Sequence, residues 1–360
     1  MTEQVTKAQH YVPQLLLRNF ANRQRDDTHR LEVMDMERKS VRRNQSVKNV
    51  CVENYFYDKD NKVETLLERY VETPAADSVR AICSSSGNIE SKPSRELYRF
   101  VAVLMNRTPK AKSEFQECAN GMTKTVFREL ARLNGFDEDE AEGIRIMPSE
   151  PRVVSAYLAL SAIQSWILIY DLRQHLIINE TSEEFVISDH PVVHLNTYLF
   201  GVYELDTASL AAPGVQLLVP LSPRHALCLY DAKIYKYGAA KNDRVTVLQS
   251  TDVVDMINAL QIRNSGDLVM FRNNRMLSKI ECLVRKWSNE PLWEYKSFYT
   301  PARYVRPDDL RSTHAVARFQ CTPQVLLPFA KIKNKVRRVD RKISVRIPEA
   351  VMAFEEIRSR

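Results

Sequence analysis

Residues 10–20 of the chain read HYVPQLLLRNF. A histidine, two amides and an arginine are interleaved here with large apolar side chains, close to the start of the chain. Pro13 suits the first turn of a helix, because no N–H is needed there. The leucines and Phe20 then give an apolar face over roughly residues 13–22. We therefore expect this stretch to pack under the body of the protein and to deliver His10 to a polar site.

The composition is typical of a globular protein. The 360 residues are 44% hydrophobic, enough for one large core or two smaller ones. Only 8 glycines are present, which argues against glycine-rich phosphate loops. The six cysteines form no CxxC pair, as expected for free thiols in a reducing compartment. The start is polar and no apolar run is long enough to span a bilayer, so we expect a soluble, cytoplasmic protein without a membrane partner.

The basic excess is concentrated at the end of the chain. The formal net charge is +7, and residues 301–360 carry 14 Lys and Arg against 6 Asp and Glu. The preceding 300 residues are therefore close to neutral. Such an asymmetry is typical of a tail that contacts an acidic partner, and nucleic acid is the first candidate.

Strand-like and helix-like segments occur in clusters along the chain. Helical periodicity fills about residues 62–174, and 153–174 is predicted to be the longest and most buried helix. Strand patterns lie before and after it, which favours an α+β fold with a helical half packed on a mostly antiparallel sheet. Residues 287–313 are predicted to be an ordered linker. We predict one domain over residues 1–300 and a basic, strand-rich C-terminal extension over 301–360.

Five short motifs follow one another in a fixed order. They are HYVPQxxLRNF at 10–20, NYFY at 54–57, RTP at 107–109, ISDHP at 187–191 and PLSP at 220–223. On these motifs the chain resembles the bacterial family catalogued as domain of unknown function 4238, over roughly residues 8–285. The usual family pattern is Ser-Asp-Asn-Pro, and His190 replaces the asparagine, so this residue inherits no family role. The resemblance implies no established activity, only an association with anti-phage or toxin-like settings.

Three residues are predicted to be catalytic, and each also has a structural interpretation. His10 suits proton transfer or metal binding, or it locks the N-terminal helix through a backbone carbonyl. Asp189 ends a strand before a proline, where clefts commonly open, or it caps a turn or pairs with an arginine. Arg107 suits bidentate phosphate binding, or an internal ion pair with Asp189. The catalytic interpretation requires His10 and Asp189 to line one cavity.

Further polar residues are candidates for ligand binding. Gln14, at the start of the predicted helix, is predicted to bind substrate. Asn258 and Gln261 lie one turn apart and face either a polar ligand or solvent. His190 and His194 share a strand face and could hold a divalent metal, although the spacing shows no third ligand. The identity of any cofactor stays open.

The tail is predicted to carry a basic edge. Lys331, Lys333, Lys335 and Arg337 alternate, so that a strand would place them on one side. Arg338 and Arg341 would extend this edge, which could neutralise phosphates. The alternative is an edge strand whose lysines prevent aggregation.

Two functions of different classes remain. One is an enzyme that cleaves nucleic acid or a nucleotide by phosphodiester hydrolysis, with His10, Asp189 and Arg107 as its machinery. The other is a binding or sensing module whose tail docks on nucleic acid or on a protein partner, with a homo-oligomer also allowed. The sequence contains no GxSxG elbow, P-loop, GxGxxG, HExxH or EF-hand pattern that would favour another class.

Overall fold

The fold is taken from a computed structural model of the chain. It describes residues 7–84, 94–135, 143, 147–201, 208–238, 243–300, 313–320, 326–337 and 345–359. No helix in this described part is both long and apolar enough to cross a bilayer.

The strands are short and most belong to two sheets. In chain order they are β1 (Ala8–His10), β2 (Asn22–Arg23), β3 (His29–Asp35), β4 (Ser40–Ser46), β5 (Val52–Asn54), β6 (Arg173–Asn179), β7 (Ile187–Ser188), β8 (Val193–Leu195), β9 (Gln216–Ser222), β10 (His225–Tyr230), β11 (Tyr235–Tyr237), β12 (Val245–Leu248), β13 (Leu268–Phe271), β14 (Trp293–Thr300), β15 (Thr313–Gln320) and β16 (Ala330–Ile332).

Five of the ten helices in the described part lie between β5 and β6. In chain order the helices are α1 (Gln14–Asn19), α2 (Lys62–Leu67), α3 (Thr73–Ser84), α4 (Arg95–Asn106), α5 (Pro109–Asn134), α6 (Pro151–Ser165), α7 (Thr251–Asn264), α8 (Leu277–Trp287), α9 (Asn334–Arg337) and α10 (Pro348–Ser359). A π-helical turn, Glu68–Glu72, joins α2 to α3.

The two main sheets are built differently. The first has the order β12-β6-β10-β9-β8, and only its β12–β6 pair is parallel. The second has the order β2-β3-β13-β7, with β4 added to β3, and its pairs are antiparallel. Strands from the start of the chain thus meet strands from its later half. This arrangement confirms the predicted α+β class, with two five-stranded sheets and three two-stranded pairs in the described part rather than one sheet.

The N-terminal stretch does pack under the body. Leu16 and Leu17 of α1 are fully buried, as is Phe20, which follows the helix. Asn19 donates from Nδ2 to the carbonyl of Leu221, 2.8 Å away in β9. Just before α1, β1 pairs with β5 so that His10 lies opposite Val52. The apolar face of α1 therefore anchors the stretch on the first sheet, and β1 fixes the direction in which His10 enters the structure.

Two predicted elements were wrong. Residues 153–174 do not form one helix, because α6 ends at Ser165, a 3₁₀ turn follows and β6 begins at Arg173. The longest helix is α5, with 26 residues. The short apolar run at 166–170 fits both the helical and the strand periodicity, so the pattern could not distinguish a helix from a strand.

The predicted linker at 287–313 is not all linker. Part of it is the strand β14, which pairs with β15, and residues 301–312 lie outside the described part.

One arginine fastens the described end of the C-terminal extension to the body. Arg346 makes a bidentate ion pair with Asp171, at 2.8 and 3.0 Å. Its guanidinium also donates to the carbonyls of Leu168, Leu210 and Ala212. The side chain is only 1% exposed, so these bonds are shielded from water. They hold α10 beside the 3₁₀ turn that follows α6.

We expect Arg346→Ala to release α10 from the body. Loss of a buried, multiply bonded guanidinium costs about 3–5 kcal/mol, because Asp171 and three carbonyls lose their donor. Limited proteolysis should then cut near residue 345 faster than in the wild type. Arg152→Ala is the matched control, because Arg152 makes a partly exposed ion pair with Glu150. Equal cleavage rates in the two variants would contradict the anchoring role.

Candidate functional site

A cleft of about 580 Å³ opens beside the N-terminal stretch. We call it the His10 cleft. It is lined by Ala8, His10, Gln14, Leu15, Arg18, Lys48, Asn61, Glu64, Thr65, Glu68 and Glu72. The first five come from β1 and α1, and the last five come from the α2 region and the π-helical turn. Two sequence-predicted site residues, His10 and Gln14, therefore share one cleft.

His10 forms part of the floor of this cleft. Its side chain is buried, and its Nε2 atom has no hydrogen-bond partner among the described residues. Burial is the main effect on its pKa and lowers it below the ordinary value of 6.5, against a backbone hydrogen bond with Val47 that raises it. The imidazole is therefore neutral at neutral pH, and a neutral ring nitrogen can accept or donate a proton.

Three glutamates at intervals of four residues form one wall. Glu64, Glu68 and Glu72 fall on one helical face, and the π-helical turn carries the last two. Glu64 accepts a hydrogen bond from the backbone N–H of His10 at 3.3 Å. Burial raises the pKa of Glu64, so this carboxyl takes up a proton more readily than an exposed one. The pKa of His10 is lowered and that of Glu64 is raised, which brings the two proton affinities closer together.

The opposite rim carries positive charge. Arg18 and Lys48 are both exposed. Arg18 donates from Nη2 to Oε1 of Gln14 at 3.2 Å, so Gln14 orients the guanidinium along the rim. The cleft thus combines a neutral imidazole, three glutamates on one wall and two exposed cationic side chains.

Arg107 lies beneath the cleft and does not line it. Its guanidinium donates to the His10 carbonyl at 2.7 Å, to the Tyr57 hydroxyl at 3.0 Å and to Oε1 of Glu72 at 2.6 Å. The side chain is 1% exposed and every guanidinium nitrogen has a partner. The predicted ion pair of Arg107 with Asp189 is therefore wrong, because Glu72 takes that place. Arg107 positions both His10 and one glutamate of the wall.

Asp189 lies away from the cleft and is held by main-chain groups. Its carboxylate accepts hydrogen bonds from the N–H groups of Gly266, Asp267 and Leu268, at 2.7, 2.7 and 3.1 Å. A Cβ at Gly266 would lie 3.1 Å from Oδ2, so a glycine allows this close approach. Burial raises the pKa of Asp189 to about 6 despite these donors. The structure does not bring Asp189 and His10 together in the cleft.

The charged groups that act on the pKa values of nearby residues agree with the separation of Asp189 from His10. Arg107 and Glu72 act on the pKa of His10, whereas Asp189 acts on the pKa values of the buried Tyr11 and Cys51. Adjacent residues of the N-terminal stretch thus face different surroundings.

The two other histidines of interest face different partners. Nδ1 of His190 lies 2.6 Å from the Thr108 hydroxyl, at the start of α5. The ring of His194 packs against Trp293 with 5.0 Å between centroids. Among the residues that the structure describes, no three His, Cys, Asp or Glu side chains are placed to hold one metal ion.

Asn258 and Gln261 are fully buried and bind main-chain groups of the segment around β7. Asn258 accepts from the N–H of Val186 at 2.9 Å, and Gln261 accepts from the N–H of Ser188 at 2.9 Å. Their side-chain amides donate to the carbonyls of Glu184 and Pro191. The solvated helix face is therefore wrong, and the predicted contact with a substrate has no support, because both amides are buried and bonded to main-chain groups at the sheet edge.

The predicted basic edge is not one strand. Only Lys331 lies in β16, whereas Lys335 and Arg337 belong to α9. Lys331 and Lys335 are exposed, and Nζ of Lys333 donates to the Ala232 carbonyl. Alternation in sequence gave the wrong geometry because a helix begins at Asn334. Arg338 and Arg341 lie outside the described residues.

The sequence analysis missed Gln9, a buried residue that holds the segments beside the cleft together. Gln9 is fully buried, and its Nε2 lies 3.0 Å from the Asp58 carbonyl, Asp58 Oδ1 and Asn61 Oδ1. Its Oε1 accepts from the N–H of Tyr57 at 2.8 Å. The only signal available for the acidic wall was the spacing of four between Glu64, Glu68 and Glu72.

Comparison with known families places this site in context. The family described as Protein of unknown function (DUF4238) matches residues 8–275, well over half of the chain. The chain belongs to the DUF4238 family. The matched region includes the cleft, Arg107 and the Asp189 loop, and it ends before β14. No curated protein and no solved structure matches the chain.

We expect the stability of the protein to depend on pH through His10. Because its folded pKa is lowered, the unfolded chain binds a proton at His10 at higher pH than the folded chain does. The contribution is intact above pH 6.5, the ordinary value, and is lost as the pH falls below it. The wild type should therefore lose more stability than His10→Gln between about pH 7 and about pH 5 in denaturant titrations. Parallel losses in the two proteins would contradict this result.

We expect Asp189→Ala to reduce the free energy of unfolding by about 3 kcal/mol, because three buried N–H donors lose their acceptor. Chemical denaturation measures this change. Asp77→Ala is the control, since Asp77 is exposed and its pair with Arg80 contributes at most about 1 kcal/mol. A stability equal to that of the control would show that Asp189 does not hold the loop.

Proposed function

We propose that the His10 cleft is the active site of a hydrolase that cleaves phosphodiester bonds in nucleic acid or in a nucleotide. The observation that carries the proposal is the buried Nε2 atom of His10, which has no hydrogen-bond partner among the described residues and belongs to a residue that lines a cleft with exposed cationic side chains at its edge. A buried polar atom without a partner is costly, so it is commonly retained where a ligand or a reaction uses it.

The chemistry proposed for the cleft is proton transfer. Nε2 of neutral His10 takes a proton from a water molecule or from a hydroxyl of the substrate. The oxygen that is freed bonds to phosphorus, and the bond from phosphorus to the leaving oxygen breaks. Glu64, whose pKa is raised, is a second group that can return a proton to the leaving oxygen.

The two cationic side chains at the edge of the cleft support a phosphate substrate. Arg18 and Lys48 can contact phosphate oxygens from the rim, and Gln14 holds the arginine in place. Arg107 positions His10 through its carbonyl and does not touch the substrate. Lys331 and Lys335 are exposed and can bind more of a polymeric substrate, which remains part of the proposal.

The test is a hydrolysis panel on RNA, DNA and nucleotides, with and without divalent metal. His10→Gln should lower the rate on the responsive substrate by at least about 100-fold, the usual contribution of a general base. His29→Gln is the matched control, because His29 lies in β3 and does not line the cleft. Both variants should remain folded.

The outcome separates the proposal from its rival. If His10→Gln keeps its activity, the His10 cleft is not the catalytic site. If the wild type hydrolyses none of the substrates under any metal condition, the proposed hydrolase activity is wrong.

A binding or sensing module is the second candidate. One observation favours it: Arg107, Asp189, Asn258 and Gln261 all make their hydrogen bonds inside the chain. Several polar residues predicted for chemistry therefore organise the core. In that case the panel stays blank, whereas a thermal-shift screen with nucleotides gives a hit that His10→Gln abolishes.

A further inference from the structure

The acidic and basic side chains that line the His10 cleft belong to different elements. Glu64, Glu68 and Glu72 come from α2 and the π-helical turn. Arg18 comes from α1, and Lys48 comes from the 3₁₀ turn that follows β4. A phosphate is attracted by the second set and repelled by the first, because like charges raise the energy of a shared site. The part of a phosphate substrate that faces the glutamates is therefore uncharged.

The glutamate wall also selects groups that donate hydrogen bonds. Glu72 is paired with the buried Arg107 at 2.6 Å, and Glu64 accepts from the backbone N–H of His10 at 3.3 Å. Glu68 lies between them in the chain and lines the same wall. An ionised carboxylate only accepts, and its two oxygens offer several acceptor sites, so one bond does not exhaust it. A hydroxyl is a neutral group that can donate to such a wall.

The main chain fixes the tautomer of the His10 ring. Burial lowers the pKa of His10, and a backbone hydrogen bond with Val47 opposes that change. A hydrogen bond raises a histidine pKa when the ring donates it, so the Val47 carbonyl is the acceptor. Nε2 has no hydrogen-bond partner among the described residues, so the donor is Nδ1. In the neutral ring Nε2 therefore keeps its lone pair and can take a proton from a hydroxyl.

The ribose 2′-hydroxyl combines the properties that the cleft selects. It is neutral, it donates a hydrogen bond, and its carbon is bonded to the carbon that carries the 3′-phosphate. The phosphate can therefore stay beside Arg18 and Lys48 while the hydroxyl faces His10 and the glutamates. Deoxyribose lacks this hydroxyl, which is the group by which proteins distinguish RNA from DNA.

We infer that the substrate of the His10 cleft is RNA and that the ribose 2′-hydroxyl is the attacking group. This inference rests on the proposed function, and it specifies the substrate class and the nucleophile of that same site.

The first step of the reaction balances without water. Nε2 of His10 takes the proton of the 2′-hydroxyl, O2′ bonds to phosphorus, and the bond from phosphorus to O5′ of the next nucleotide breaks. Glu64, whose pKa is raised mainly by burial, gives a proton to O5′. The products are a 2′,3′-cyclic phosphate and a free 5′-hydroxyl, with His10 protonated and Glu64 ionised. Exchange of protons with solvent then restores both side chains.

The first test gives the full-length protein three oligonucleotides of one base sequence: RNA, DNA, and DNA that contains a single ribonucleotide. We expect cleavage of the RNA, no cleavage of the DNA, and one cut in the mixed strand, directly 3′ to the ribonucleotide. The first product should carry the cyclic phosphate and, in water labelled with heavy oxygen, no label. His10→Gln prepared in the same way should lose the RNA cleavage, which excludes a contaminating ribonuclease.

The outcomes of this test separate the inference from the proposed function. Cleavage of the DNA, or heavy oxygen in the first product, would overturn the attack by the 2′-hydroxyl and leave the proposed hydrolase in place. If no polymer and no nucleotide is cleaved under any metal condition, the proposed function is wrong and the inference is wrong with it.

The second test concerns the proton that goes to O5′. Glu64→Gln should lower the rate on RNA by at least about 100-fold, the usual contribution of a general acid. A ribonucleotide 3′-aryl phosphate diester should still be cleaved by this variant at nearly the wild-type rate, because a phenolate leaves without a proton. Glu53→Gln is the matched control, because Glu53 is exposed on β5 and does not line the cleft. Equal losses on both substrates would overturn the proton transfer from Glu64.

Discussion

The buried guanidinium of Arg107 is the constraint on which the site depends. It joins the carbonyl of His10, the hydroxyl of Tyr57 and the carboxylate of Glu72, three groups that are far apart in sequence. A buried charge must keep all its partners, since each lost bond leaves it uncompensated. The N-terminal stretch and the π-helical turn are therefore held at a fixed separation. The His10 cleft is the space between them.

The cleft and the Asp189 loop divide the predicted site into two parts with different roles. At the cleft, side chains face a solvent-accessible volume, and the buried imidazole keeps one nitrogen atom without a partner in the described structure. At the loop, the Asp189 carboxylate accepts hydrogen bonds from three main-chain N–H groups. Asn258 and Gln261 act in the same way on the segment around β7. Polar residues that look functional in sequence thus include many that replace missing backbone partners, because buried N–H and C=O groups must be satisfied.

The family match and the tail describe different parts of the molecule. The DUF4238 region contains both main sheets and the cleft. The described end of the chain adds β16, which pairs with β11, and α10, which Arg346 fastens next to α6. A chain can thus carry a proposed catalytic cleft and an attached C-terminal segment as physically separate features.

The sequence by itself determined the α+β class and the apolar anchor of α1, because hydrophobic periodicity is a local property. It also singled out His10 and Gln14, which do share a cleft. Only the tertiary structure decided which charge pairs with Arg107, that Asp189 faces main-chain donors and that Lys335 lies on a helix. The first two outcomes depend on contacts between residues tens of positions apart. Spacing along the chain carries no information about such contacts, since burial and partner choice are set by packing.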